Sequence, residues 1–289
     1  MNDPVAIVAS AIAEARRRGV ARLDAELMLA RVLDKPRTWL IARDDASMDA
    51  RQTAQWQAWL GRRADGEPLA YLLGEKEFAG LLLEVGADVL VPRPETELLV
   101  EWSGDLLRAG RPDADVIDLG TGSGAIALAI KAGHPAASVV ATDLSAAALA
   151  VARRNASRHA LSVELVESSW WSGLAGLRFD LAVANPPYVA DDDPALAALR
   201  HEPAAALTPG GDGLAALASI VEGAPRHLRN GGWLLLEHGF EQGAAVRSML
   251  ERAGFSLIET RRDLAGHERA TGGRQNRPMP SQPVTSITS

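Results

Sequence analysis

At 289 residues and 47% hydrophobic content, the chain is long enough for one cofactor-sized core and a smaller second one. Its net charge of -7 is spread without a long block of like charge, which weighs against a dedicated duplex-binding protein with a basic face. The absence of cysteine excludes disulfide frameworks and thiolate zinc sites.

The N-terminal stretch carries the acidic Asp3 at its start and Arg16, Arg17 and Arg18 after its apolar residues, the reverse of a signal peptide. No apolar run reaches the roughly 18 residues of a membrane span, the longest being broken by charges such as Lys131 and Glu237. A cytoplasmic protein without membrane association is therefore expected. Asp3 and Pro4 predict a helix start, with Val5, Val8 and Ile12 at helical spacing and a basic last turn closed by Gly19. A second helix is predicted over 23–33, stopped by Pro36, and a third beginning near a capping Ser47 and burying Trp56 and Leu60.

Between 67 and 91 the pattern changes to short extended runs, 81–85 and 89–91, punctuated by Gly74, Gly80 and Gly86, which predicts a hairpin built from those two runs. Pro92 and Pro94 end it, and a helix is predicted from about Glu95 to Arg108. From Ala114 onward strands (115–119, 138–142, 163–166, 179–184, 233–237) alternate with helices (124–132, 146–159, 214–228, 242–253), before a final β region from 255 to about 274. Such alternation implies a mostly parallel sheet covered on both faces. Pro225 predicts a kink or early end in the helix that contains it. The expected organisation is a helical unit over 1–75, a hairpin and connector over 76–110, an α/β unit over 111–274, and a disordered Pro-, Ser- and Thr-rich tail over 275–289.

The strand 115–119 runs straight into Asp118-Leu119-Gly120-Thr121-Gly122-Ser123-Gly124 and an apolar helix, an arrangement that turns backbone amides and a helix N-terminus toward a nucleotide-like ligand. The glycines fall at 120, 122 and 124, whereas a dinucleotide fingerprint puts its third at the position of Ala125; no lysine follows Gly124, so a Walker-type loop does not fit. Asp143 ends the next strand about twenty residues on, where a carboxylate suits the two hydroxyls of a ribose or caps the following helix.

Asn185-Pro186-Pro187-Tyr188, at the end of the strand 179–184, is the most specific signal in the chain. A planar amide or aromatic amine delocalises its lone pair, so methylating it requires that the nitrogen be held and aimed. The Asn185 side-chain oxygen and the Pro186 carbonyl suit two N–H groups of the acceptor, and the Tyr188 ring suits its flat face.

With these motifs the chain resembles the bacterial release-factor glutamine methyltransferases. The resemblance is carried by Glu67-Pro68-Leu69-Ala70-Tyr71-Leu72-Leu73-Gly74, Val91-Pro92-Arg93-Pro94-Glu95-Thr96-Glu97, the glycine turn, Asn185 to Tyr188, and Arg200-His201-Glu202-Pro203. It implies a helical N-terminal domain that docks the substrate, joined by a hairpin to a seven-stranded class I methyltransferase fold. The implied reaction uses S-adenosylmethionine to methylate N5 of the glutamine in the Gly-Gly-Gln loop of class I peptide-chain release factors. It further implies that Asp118, Gly120, Thr121, Gly122, Ser123, Gly124, Asp143, Trp170 and Asn185 contact the cofactor. Asn185, Pro186, Pro187 and Tyr188 would contact the glutamine, with Asn185, Pro186 and Tyr188 catalytic. Ser169 stands where many relatives carry an acid that meets the adenine amine, which leaves adenine recognition to Trp170 and backbone groups. Trp170 and Trp171 also suit a simple core role. The six histidines show no ligand spacing, so no metal is expected, and His238 is read as structural. Two other readings stay open. One is an N6-adenine methyltransferase of DNA or RNA, which presents the same planar NH₂ but would have to extrude its base and hold the nucleic-acid backbone. The other is a binding protein that has lost catalysis.

Overall fold

The computed structural model describes residues 7–276. The expected helix start at Asp3 and Pro4, and the tail beyond Asn276, lie outside them. Helices α1 (Val8–Arg17), α2 (Arg22–Leu33), α3 (Arg37–Ala42) and α4 (Ala50–Ala64) close around their own core of Val8, Ala11, Met28, Leu29, Leu40, Trp56 and Leu60. In α1 the buried residues Val8, Ala11 and Ala15 recur at one-face spacing, leaving Arg16 and Arg17 in the last turn, where they complement the helix dipole. The cap of α4 is Asp49 and not the expected Ser47. Asp49 accepts from the Gln52 amide at 2.7 Å and Gln52 returns a bond to the Asp49 N–H at 3.0 Å. Three residues after Ser47 stands Ala50, which cannot close such a reciprocal pair.

The hairpin also differs from expectation. After the short α5 (Leu69–Leu73), which the sequence reading missed, β1 (Glu75–Phe78) pairs with β2 (Leu81–Glu84) across a two-residue turn of Ala79 and Gly80, both at positive φ. The run 89–91 is not a strand. Val89 and Val91 are buried in a loop, and the Val91 N–H donates to Glu202 at 3.0 Å. β1 carries Glu-Lys-Glu-Phe and buries only Phe78, so it lacks the apolar alternation by which a strand is read.

A 3₁₀ turn (Pro94–Thr96) leads into α6 (Glu97–Ala109), and then strands and helices alternate. They run β3 (Asp115–Leu119), α7 (Ala125–Gly133), β4 (Ser138–Asp143), α8 (Ala146–Arg158), β5 (Glu164–Glu167) and β6 (Phe179–Ala184). A one-turn α9 (Ala195–Ala198), α10 (Ala215–His227), β7 (Leu228–Glu237), α11 (Gly243–Arg252), β8 (Phe255–Arg262) and β9 (Glu268–Gln275) follow. The seven strands lie in the order β5-β4-β3-β6-β7-β9-β8, parallel from β5 to β7, with β9 antiparallel to both its neighbours. This is a seven-stranded, mostly parallel sheet with helices on both faces, as the resemblance implies. One face packs Ile117, Leu119, Ala182, Leu234 and Leu236 against α10 and α11; the other packs Val116, Leu181, Val183 and Leu235 against α6 and α7. α10 runs through Pro225 for two further residues, because a proline in the last turn costs only one hydrogen bond near the helix end. β9 carries the tail boundary inward: Gln275 lies in the strand and is 2% exposed.

The chain leaves β3 toward β4 on one side and returns to β6 on the other. The carboxyl ends of β3, β4 and β6 therefore diverge around a crevice, the place where open α/β sheets bind ligands. Among the described residues no helix is long and apolar enough to cross a membrane.

Candidate active site

That crevice is a cleft of about 340 Å³ lined by the glycine turn, the Asp143–Ser145 segment, Ser168 to Trp170, Asn185 and Pro187, and roofed by residues 88–93 and 203–206. Its volume is within the roughly 300–1,000 Å³ of small-molecule sites.

The turn after β3 is shaped by φ angles that only glycine adopts freely: +76° at Gly120, +56° at Gly122 and +85° at Gly124. Gly120 and Thr121 donate to the Thr142 carbonyl at 2.9 and 2.8 Å, which ties the turn to β4. Gly120, Thr121, Gly122 and Ser123 line the cleft. A Cβ on Gly120 would stand 3.2 Å from the Trp170 ring, so the glycine lets the indole lie against the turn. Gly124 serves a different purpose: a Cβ there would meet Leu128 and Ala152 at 3.1 and 3.3 Å, so its bare backbone lets α7 and α8 approach.

Asp118 is fully buried and does not line the cleft. Its Oδ2 accepts from the Thr121 hydroxyl at 2.6 Å and from the Ala127 N–H at 3.2 Å, supplying the helix-start acceptor that Gly124, at the cap position of α7, lacks. Burial pushes its carboxyl up to about 7, against the lowering effect of those two bonds. Asp143 does reach the cleft. Its Oδ2 accepts from Gly122 at 2.9 Å and its Oδ1 from Ser145 at 2.8 Å, so the carboxylate is held in place with lone pairs to spare. The cap of α8 is Ser145, which accepts from Ala148. The two adjacent tryptophans part ways: Trp170 lines the cleft, while Trp171 is buried, donates to the Ile220 carbonyl at 2.9 Å and stacks on His227. Ser169 lies at the cleft beside Trp170.

Asn185 follows β6 directly and faces the cleft. Its NH₂ donates to the Thr96 hydroxyl at 3.0 Å, which leaves Oδ1 to accept from a ligand. Pro187 lines the cleft and Pro186 is buried in the turn. Tyr188 does not line the cleft: its ring packs against the core and its hydroxyl stands 3.3 Å from Glu237 Oε1. Burial and the Glu237 charge push that phenol well above its ordinary range. Glu237, at the end of β7, is itself 1% exposed, and burial raises its carboxyl to about 7.

Sequence reasoning missed the roof as a structure, although it quoted the residues. Glu202 is buried, accepts from the Val91 N–H and pairs with Arg93, so the two motifs 91–97 and 200–203 are clasped to one another above the cleft. The same roof is tied to the helical unit through Arg200 and Asp65, an ion pair of 2.9 Å, and through the Tyr71 hydroxyl, which donates to the Val89 carbonyl. Thr96, Leu144, Ser145 and Ala148 complete the cleft wall. His238 is buried between the Gly239 carbonyl and the Thr271 hydroxyl, both at 2.8 Å. No group of three or more histidines and carboxylates capable of holding a metal ion is gathered among the described residues.

The site therefore combines a backbone turn open to polar ligand atoms, a fixed carboxylate and an indole face with the amide oxygen of Asn185, which leaves the neighbouring strand end beside the turn. Family models match the chain along most of its length: the PrmC N-terminal domain over residues 7–74 and the Methyltransferase small domain over 96–253. The release factor glutamine methyltransferase of Xylella fastidiosa strain Temecula1 is 48% identical over 277 residues, covering 95% of this chain and 98% of that one. That of Burkholderia pseudomallei strain K96243 is 51% identical over 261 residues, covering 87% and 91%. Among solved structures, a methyltransferase from Pyrococcus furiosus shares the fold, with a TM-score of 0.53 at 20% identity over 68% of this chain and 90% of that one.

Proposed function

The chain belongs to the release factor glutamine methyltransferase family, and from that premise we propose that it methylates N5 of the glutamine in the Gly-Gly-Gln loop of class I peptide-chain release factors, with S-adenosylmethionine as donor. The observation that carries the reading is the joining of two halves in one cleft: the glycine turn with Asp143, and Asn185 at the adjacent strand end.

The residues present fit the proposed cofactor. The Gly120–Ser123 turn accommodates close approach of a ligand, Asp143 presents a carboxylate suited to ribose hydroxyls, and Trp170 offers a flat face for a purine, with Ser169 beside it. When bound, S-adenosylmethionine supplies an electrophilic methyl group on a sulfonium. The rest falls to the chain itself. Asn185 Oδ1 and the Pro186 carbonyl accept the two N–H groups of the glutamine side chain, fix its nitrogen, and favour the localised lone pair as positive charge grows there. The roof of residues 88–93 and 203–206 limits water around the reacting atoms. No general base is required, since the methylated nitrogen is acidic enough to release its proton to water.

The test is to incubate the protein with methyl-labelled cofactor and, separately, with release factor and with DNA or RNA. Label on release factor alone supports the reading. Label on nucleic acid, with none on release factor, overturns it.

A further inference from the structure

Trp170 holds a backbone conformation that side chains of its size seldom take. Its φ of +49° lies in the left-handed region, where Cβ crowds the following carbonyl, and an indole offers no short polar group to compensate. Such a conformation persists only where the surroundings over-determine it, and it gathers at ligand clamps. Here the chain is gripped on both sides of the residue. Before it, Ser168 is buried, and its hydroxyl donates to the Trp170 carbonyl at 3.0 Å while accepting from the Gly173 N–H at 3.0 Å. The Ser168 N–H donates to the Asp143 carbonyl at 3.0 Å, which fixes this turn to the end of β4. A Cβ on Gly173 would stand 3.2 Å from the Ser168 side chain, so bare backbone lets the hydroxyl close the loop. After it, the Trp171 indole donates to the Ile220 carbonyl at 2.9 Å and lies on Gly223 of α10, where a Cβ would come within 2.1 Å of the ring.

The two grips have one visible result. The Trp170 ring lies against Gly120 and lines the cleft. The same residue also borders a surface hollow beside α10, lined by Ser219, Glu222 and Arg226, so an indole released from its turn has a second place to go. We infer that Ser168 and Trp171 are positioning residues for the cofactor, holding Trp170 in its left-handed turn so that the purine of S-adenosylmethionine meets an indole face already in place. A face set before binding spares the complex the cost of ordering a large side chain. Both residues act through the Trp170 ring and not by contacts of their own with the purine. This rests on the cofactor reading above.

The test is a double-mutant cycle read by calorimetry of S-adenosylmethionine binding to the full-length protein, with thermal melting as the check of folding. Ser168→Ala removes both hydroxyl bonds and is expected to weaken binding roughly 5- to 30-fold. The Trp170→Ala background keeps Asp143 and the glycine turn to bind the cofactor but has no ring to hold, and there the same substitution is expected to change affinity less than about twofold. Trp171→Phe keeps a ring in the core, loses the bond to Ile220, and is expected to follow the same pattern. Residues that only stabilised the fold would lower the melting temperature and leave the affinity of the folded protein alone. Wild-type affinity in Ser168→Ala, or an equal loss with and without the Trp170 ring, overturns the proposal. If Ser168→Ala does not fold, Trp171→Phe decides by the same comparison. Wild-type protein that binds no S-adenosylmethionine refutes the cofactor reading itself and the proposal with it, a result in hand before any variant is compared.

Discussion

Asp143 and Asp118 look alike in sequence, each an acid at the end of a strand, yet the fold gives them opposite work. Asp143 holds Gly122 and Ser145 by their N–H groups while facing the cleft. Asp143→Ala is expected to weaken S-adenosylmethionine binding by about 1.5 to 3 kcal/mol, the range for a hydrogen bond to a charged group. Calorimetry on the folded variant decides it, and unchanged affinity reduces Asp143 to a brace for the turn. Asp118 lies beneath the turn, and burial lifts its carboxyl from 3.8 to about 7. A carboxyl raised on folding binds its proton more tightly in the native state, so its contribution is full below about pH 4 and is lost as pH rises through about 7. Asp118→Asn cannot lose a proton, so its stability relative to wild type should improve across that window by a few kcal/mol at most. Paired thermal melts from pH 4 to 8 measure this; a constant difference contradicts it. Gly120, Asp143 and Asn185 were legible because each occupies a fixed place in a strand-to-turn sequence. Thr96, Glu202 and Glu237 meet partners 89, 111 and 49 residues away in the chain, which no local pattern displays. Trp170 and Trp171 could not be told apart, since adjacent residues in a loop share composition but point to different neighbours.

Among the elements, β3, β4, β6, α7 and α8 were legible to within about a residue, because strand runs and helical stripes there are long, apolar and bounded by glycine or acid. The N-terminal half was read less well. β1 is polar, and α5 spans only Leu69–Leu73, held by contact with the α2–α4 bundle more than by its own propensity. The expected Ser47 cap lost to Asp49 because a reciprocal pair satisfies two helix-end groups at once. That pair has a measurable consequence: Asp49→Ala should destabilise the protein by about 1 kcal/mol, the usual worth of such a cap, whereas Ser47→Ala should cost far less. Denaturant midpoints of the two variants check the order, and a larger loss from Ser47→Ala would contradict the assignment of the cap to Asp49.

At the scale of the whole molecule, the helical unit has its own core but is fastened to the roof of the cleft by Asp65 with Arg200 and by Tyr71 with Val89. Every residue lining the cleft lies at or beyond Asp88, and the role we propose for the helices is to hold the macromolecular substrate more than the cofactor. A protein lacking residues 1–65 should retain S-adenosylmethionine affinity and lose affinity for release factor; equal release-factor binding by both forms would make the bundle a device for stability. The central claim is that Asn185, at the strand end beside the glycine turn, holds and aims a glutamine amide. It is tested most directly by mass spectrometry of release factor incubated with cofactor and either wild type or Asn185→Ala, read as the rate at which one methyl group appears on each residue. The account predicts that wild type methylates the side-chain nitrogen of the glutamine in Gly-Gly-Gln and that Asn185→Ala does so about 100- to 1000-fold more slowly, with cofactor affinity retained. A methyl group on any other residue, or a near-normal rate in Asn185→Ala, would contradict it.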